Sequence, residues 1–112
     1  MDLDLTTYER DGRVVVAAGG EIDVYTAPAL DEELSRLTES GVHRIVVDLT
    51  SVDFLDSTGL GVLVKTLTRV RSVEGGTLSV VVAVDRVAKV FRLTGLDTLI
   101  PLHPSVDAAL AG

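Results

Sequence analysis

Hydrophobic and polar positions change their period in the middle of the stretch 45–73. Ile45, Val46, Val47 and Leu49 form a short apolar run, the pattern of a strand buried on both faces, whereas Leu60, Leu63, Val64, Leu67 and Val70 recur at helical spacing. The switch falls at Asp56-Ser57-Thr58-Gly59. This tetrapeptide reads as a helix start, with Asp56 or Ser57 capping exposed backbone N–H groups and Gly59 allowing the first turn to approach another surface. Gly59 and Gly61 each cost a helix about 1 kcal/mol relative to alanine. The pattern therefore predicts that something comes close to both.

The flanking segments alternate between strand and helix signals. Leu3 and Leu5 alternate with Asp2, Asp4 and Thr6 as in a half-exposed strand, 14–18 reads as a more buried one, and Asp11-Gly12 is the hairpin turn between them. Gly19-Gly20 is expected to end the second strand. The segment 21–28 then runs as a loop into a helix with Thr26 or Ala27 at its cap and Pro28 in its first turn. Asp31, Glu32 and Glu33 are expected to complement its positive end, Leu30, Leu34 and Leu37 to form its buried stripe, and Gly41 to stop it. Tyr25 is read as partly buried packing.

After the break at Gly75-Gly76, the apolar run 78–84 predicts a central strand. Asp85 is expected to cap a third helix that buries Val87, Val90, Phe91 and Thr94 and stops at Gly95. A short strand over 98–102 and a short helix over 104–110 complete the series. Strands and helices alternating at these lengths argue for an α/β fold with a mixed, mainly parallel β-sheet, an N-terminal antiparallel hairpin and about four helices.

Length and composition narrow the function. The 112 residues suit one domain, 1–112, with a core of Val, Leu, Ile and Ala, because only 4% of the residues are aromatic. A net charge of -7, with eight Arg and two Lys scattered along the chain, opposes direct binding to a phosphate backbone. The absence of cysteine excludes disulfides, thiolate-held metals and thiol catalysis. The acidic, alternating start is unlike a secretory leader, and the run 80–84 falls far short of the roughly 18 residues a membrane span needs. A cytoplasmic protein without membrane attachment, cofactor or metal is the expectation.

The candidate chemistry centres on Ser57. Two consecutive hydroxyls exceed what one helix cap requires, and Asp56 stands next to them. Ser57 lacks the Gly-x-Ser-x-Gly elbow of a hydrolase, and His43 and His103 have no motif context and read as surface or loop residues. No Walker A loop occurs. Asp48, Asp53 and Asp56 suggest a magnesium site or a phospho-accepting aspartate, but the first strand enters a hairpin where such a site needs an acidic cluster. Glu21 and Asp23 follow the Gly19-Gly20 pair and reach the Ser57 turn if the second and central strands are neighbours. Asp23 is then expected to help form a partner surface and not to be needed for folding.

Three stretches carry a resemblance. Gly20-Glu21-Ile22-Asp23-Val24-Tyr25-Thr26-Ala27-Pro28, Val52-Asp53-Phe54-Leu55-Asp56-Ser57-Thr58-Gly59-Leu60-Gly61-Val62 and Phe91-Arg92-Leu93-Thr94-Gly95-Leu96 resemble the anti-sigma-factor antagonists of the STAS family, of the RsbV and BldG types of Gram-positive bacteria. The likeness runs nearly end to end. It implies the STAS fold and a non-enzymatic, partner-switching role in transcription. In such families the unphosphorylated antagonist binds an anti-sigma factor that is also a serine kinase of the GHKL/HATPase type, freeing the sigma factor. The kinase modifies the hydroxyl after the motif aspartate, here Ser57, and a PP2C-type phosphatase restores it. Thr58 stands where some members have a second serine. The partner surface implied comprises Glu21, Asp23, Asp56, Ser57, Thr58, Gly59, Leu60 and Gly61. A module that holds a nucleotide or other anion at the Ser57 helix N-terminus is the alternative.

Overall fold

Asp11 and Gly12 both adopt positive φ, 53° and 78°, and so make the two-residue turn that joins β1 (Asp4–Arg10) to β2 (Arg13–Ile22) in antiparallel register. The computed structural model describes residues 3–112; Met1 and Asp2 of the acidic start lie outside the described residues. β3 (Arg44–Leu55), β4 (Thr77–Val81) and β5 (Leu102–His103) add in parallel, giving a five-stranded sheet in the order β1-β2-β3-β4-β5. The helices are α1 (Ala27–Glu39), α2 (Ser57–Arg71), α3 (Asp85–Thr94) and α4 (Val106–Ala111). The architecture is the mixed α/β sheet with an N-terminal hairpin expected from the periodicity.

Alternation along the strands divides the core into two layers. Val16, Ile45, Val47 and Val80 share one cluster with Leu30, Leu34 and Leu37 of α1, Leu60, Leu63, Leu67 and Val70 of α2, and Val87 and Phe91 of α3. Their neighbours Val15, Val46 and Val81 point the other way and meet Ala109 of α4, flanked by Tyr8, Val106 and Leu110. Strands flanked by helices on both faces explain why the central runs are continuously apolar.

Several boundaries differ from the sequence expectation. Gly19-Gly20 does not end β2: the strand continues to Ile22 through register shifts against β3, which itself continues to Leu55, so each extension supplies the other's backbone partners. β4 stops at Val81, beyond which the Val82 N–H donates to the His103 carbonyl at 3.0 Å. The expected strand over 98–102 is a 3-10 turn, Leu96–Thr98, followed by Ile100 driven fully into the core, with pairing only at Leu102–His103.

Helix details shift as well. Asp31, Glu32 and Glu33 lie beyond the first turn of α1; Asp31 instead pairs with Lys65 at 2.9 Å and Glu33 with Arg36 at 2.7 Å. Val84, not Asp85, occupies the cap of α3, and no side chain caps that helix. Val64 and Thr94 face outward, and Val90 is half-buried. Gly41 and Gly95 do close α1 and α3 in the left-handed region, at φ 97° and 76°.

Candidate functional site

Parallel pairing of β2 with β3 sets Ile22 opposite Leu55, and the Asp56 N–H donates to the Ile22 carbonyl at 3.1 Å. The loop that begins at Asp23 and the turn that begins at Asp56 therefore leave the sheet side by side. This is the neighbour relation that the candidate site required.

Asp56 is the N-cap of α2 in extended backbone, and its carboxylate accepts the Thr58 N–H at 2.9 Å. The Thr58 hydroxyl donates to the same carboxylate oxygen. Ser57 is exposed, and among the described residues its hydroxyl makes no hydrogen bond. Of the two adjacent hydroxyls, one is tied into the cap and the other is available.

The two glycines of α2 play different parts. A Cβ on Gly59 would overlap Leu55 Cδ1 and come within 2.7 Å of Ile22 Cγ2. Its absence lets the first turn seat on the ends of β2 and β3, which holds Ser57 and Thr58 outward. Gly61 has no atom within 4 Å of the corresponding position, so no close approach within the chain explains it. It lines a shallow groove of about 410 Å³ between α1 and α2 with Val24, Ala27, Pro28, Thr58 and Val62, and the paired Lys65 and Asp31 line it too.

The Asp23 loop is internally braced. Its carboxylate accepts the Tyr25 N–H at 2.9 Å and the Thr26 N–H at 3.1 Å. The buried Thr26 hydroxyl accepts the Asp23 N–H at 2.9 Å and donates to the Glu21 carbonyl at 2.7 Å. Asp23 therefore organises its own loop through these hydrogen bonds.

Comparison with known proteins decides the family. The STAS domain family model matches residues 4–109. The chain belongs to the STAS domain family. Among curated relatives, the "Anti-sigma-B factor antagonist" of Staphylococcus aureus is 36% identical over 107 residues, covering 96% of this chain and 98% of that protein. The Staphylococcus epidermidis protein of the same description is 35% identical over the same length. The crystal structure of an anti-sigma factor antagonist from Mycobacterium paratuberculosis superposes with a TM-score of 0.91 at 34% identity, covering 97% of this chain and 92% of that one.

On this STAS domain, Glu21, Ser57, Thr58 and Gly61 are exposed, Asp23 and Asp56 half-buried, and Gly59 and Leu60 buried. Leu60 belongs to the core cluster, so its side chain supports the turn from beneath. Tyr25 is 85% exposed, which overturns its reading as packing, and Val24 and Phe54 are exposed beside it in sequence and across from Glu21 in register. Strand alternation could not have found Phe54, because it shares parity with the buried Val52 and the register against β2 shifts between the two. The irregular 23–26 loop offered no signal for Val24 or Tyr25 either.

Proposed function

We propose that this STAS domain is an anti-sigma-factor antagonist switched by phosphorylation at Ser57. The unphosphorylated form binds an anti-sigma factor that is also a GHKL-type serine kinase and frees a sigma factor. The observation that carries the reading is the free, exposed Ser57 hydroxyl beside a Thr58 hydroxyl already held by Asp56.

In the modifying step the Ser57 oxygen forms a bond to the γ-phosphorus of ATP, ADP leaves, and the hydroxyl proton passes to a base. Among the described residues no base is hydrogen-bonded to Ser57, so the kinase supplies it. Hydrolysis of the phosphoserine by a PP2C-type phosphatase returns the hydroxyl and releases inorganic phosphate. The antagonist acts only as substrate and as binding partner.

The phosphate adds roughly -1.5 to -2 charges at the positive end of α2, an interaction worth about 0.3–1 kcal/mol at an exposed site, and Asp56 offsets part of that gain. The fold therefore stays nearly unchanged. Against a partner surface shaped for a neutral hydroxyl, a desolvated and unpaired dianion costs several kcal/mol. A penalty of about 4 kcal/mol weakens binding nearly a thousandfold. Calorimetry and circular dichroism on both forms test this: matched melting curves with a large affinity gap for the cognate anti-sigma factor are expected. Equal affinities, or broad loss of structure on phosphorylation, would refute it.

A further inference from the structure

The chain carries ten basic and seventeen acidic residues, and along the sequence the basic ones look scattered. The structure gathers three of them on the outer face of α3. Arg86, Lys89 and Arg92 are all exposed, and no ion pair among the described residues involves them. Leu93 stands among them, 76% exposed. At helical spacing Lys89 lies one turn from both Arg86 and Leu93, so Arg86, Lys89 and Leu93 form a line, with Arg92 beside it. The opposite face of the helix buries Val87 and Phe91. Asp85, also exposed, is the one acidic residue of α3 and is not paired with Lys89 or Arg86.

An unpartnered leucine flanked by unpaired cations matches a ligand that is apolar at one point and acidic around it. We propose that the outer face of α3 docks a short, acidic, amphipathic segment of a protein partner, with an apolar side chain against Leu93 and carboxylates against Arg86, Lys89 and Arg92.

Charge range favours a short protein segment over an extended polyanion. α3 has ten residues, about 15 Å of axis. The Debye length at physiological ionic strength is about 8 Å, so a segment confined to the helix meets mainly the local positive field. A nucleic-acid duplex or an anionic membrane covers more than that stripe and meets the acidic remainder of a chain whose net charge is -7. A lone exposed leucine is also little apolar surface to insert into lipid.

This surface is independent of the Ser57 switch, and its test can be read without the sigma-factor partners. Isotopically labelled full-length protein is titrated with a short synthetic peptide carrying glutamates and leucines on opposite helical faces, and backbone amide shifts are followed by NMR. The expected shifts centre on 85–94, are absent with the lysine-for-glutamate peptide, and fade at high salt. Arg86→Glu combined with Lys89→Glu should weaken binding roughly tenfold, from two lost exposed charge contacts. Leu93→Ser should weaken it without altering the salt dependence, and Ser57→Ala should leave it unchanged. Amide spectra of the free variants confirm that each remains folded. Absence of shifts at α3, binding that survives the double charge reversal, or a stronger response to duplex DNA or phosphatidylserine vesicles overturns the proposal.

Discussion

Asp56 holds Thr58 twice, by the Thr58 backbone N–H and by the Thr58 hydroxyl, and leaves the neighbouring Ser57 hydroxyl exposed. One side chain thus caps α2 and distinguishes two adjacent hydroxyls. Incubation with the cognate kinase should place phosphate on Ser57, and Thr58→Val should leave incorporation largely intact. Robust labelling of Ser57→Ala would reverse the assignment. Asp56→Ala should cost about 0.5–2 kcal/mol through the lost cap, measured by urea unfolding.

Gly59 and Gly61, two residues apart in one helix, should respond oppositely to alanine. At Gly59 the added methyl meets Leu55 and Ile22, both core side chains, and should destabilise by about 1–3 kcal/mol. At Gly61 the methyl meets nothing, so the helix should gain up to about 1 kcal/mol. Thermal melts of the two variants decide the point. A Gly61→Ala protein that is more stable yet binds its partner more weakly would place the groove beside Gly61 within the interface.

Asp23→Ala should lower stability by about 0.5–2 kcal/mol, because the Tyr25 and Thr26 N–H groups lose their acceptor. Asp23→Asn retains an oxygen at the same place and should recover most of that loss. If chemical denaturation shows both variants unfolding with the wild type, the carboxylate is not the brace of its loop.

The Arg36 guanidinium, hydrogen-bonded to Glu33, holds the Glu33 carboxyl below its ordinary value of 4.5; partial burial opposes this, and the Thr7 hydroxyl assists it. A carboxylate with a depressed pKa contributes stability above its unfolded-state pKa and loses that contribution as pH falls through the folded one. Glu33→Gln should therefore be less stable than the wild type at neutral pH. The gap should close as the solution is acidified below the ordinary carboxylate range. A gap that widens on acidification would contradict the sign.

Features written in local chemistry were legible in the sequence. The Asp11-Gly12 turn needs positive φ, Pro28 and Thr26 mark the start of α1, Gly41 and Gly95 end helices, and the leucine stripe of α1 declares its buried face. Each depends on residues within a few positions of one another. The Asp56 cap belongs to the same class, which is why the sequence alone marks the Ser57 turn as the candidate site.

Pairing between distant segments decided the rest. Through their mutual register, β2 runs past Gly19-Gly20 to Ile22 and β3 runs to Leu55, and that extension brings Asp23 beside Asp56. Only the packed ends of these strands show that Gly59 is required by Ile22 and Leu55 while Gly61 is open. Exposure of Tyr25 and the basic face of α3, unpaired among the described residues, are likewise properties of the assembled surface. The amino-acid sequence by itself determined the order of elements, the hairpin turn and the caps of α1 and α2, because these follow from backbone preferences over a few residues, while the phosphoacceptor candidate rests also on the family resemblance. Tertiary structure decided strand lengths, glycine roles and which side chains are exposed, because burial and pairing depend on atoms contributed from elsewhere in the chain.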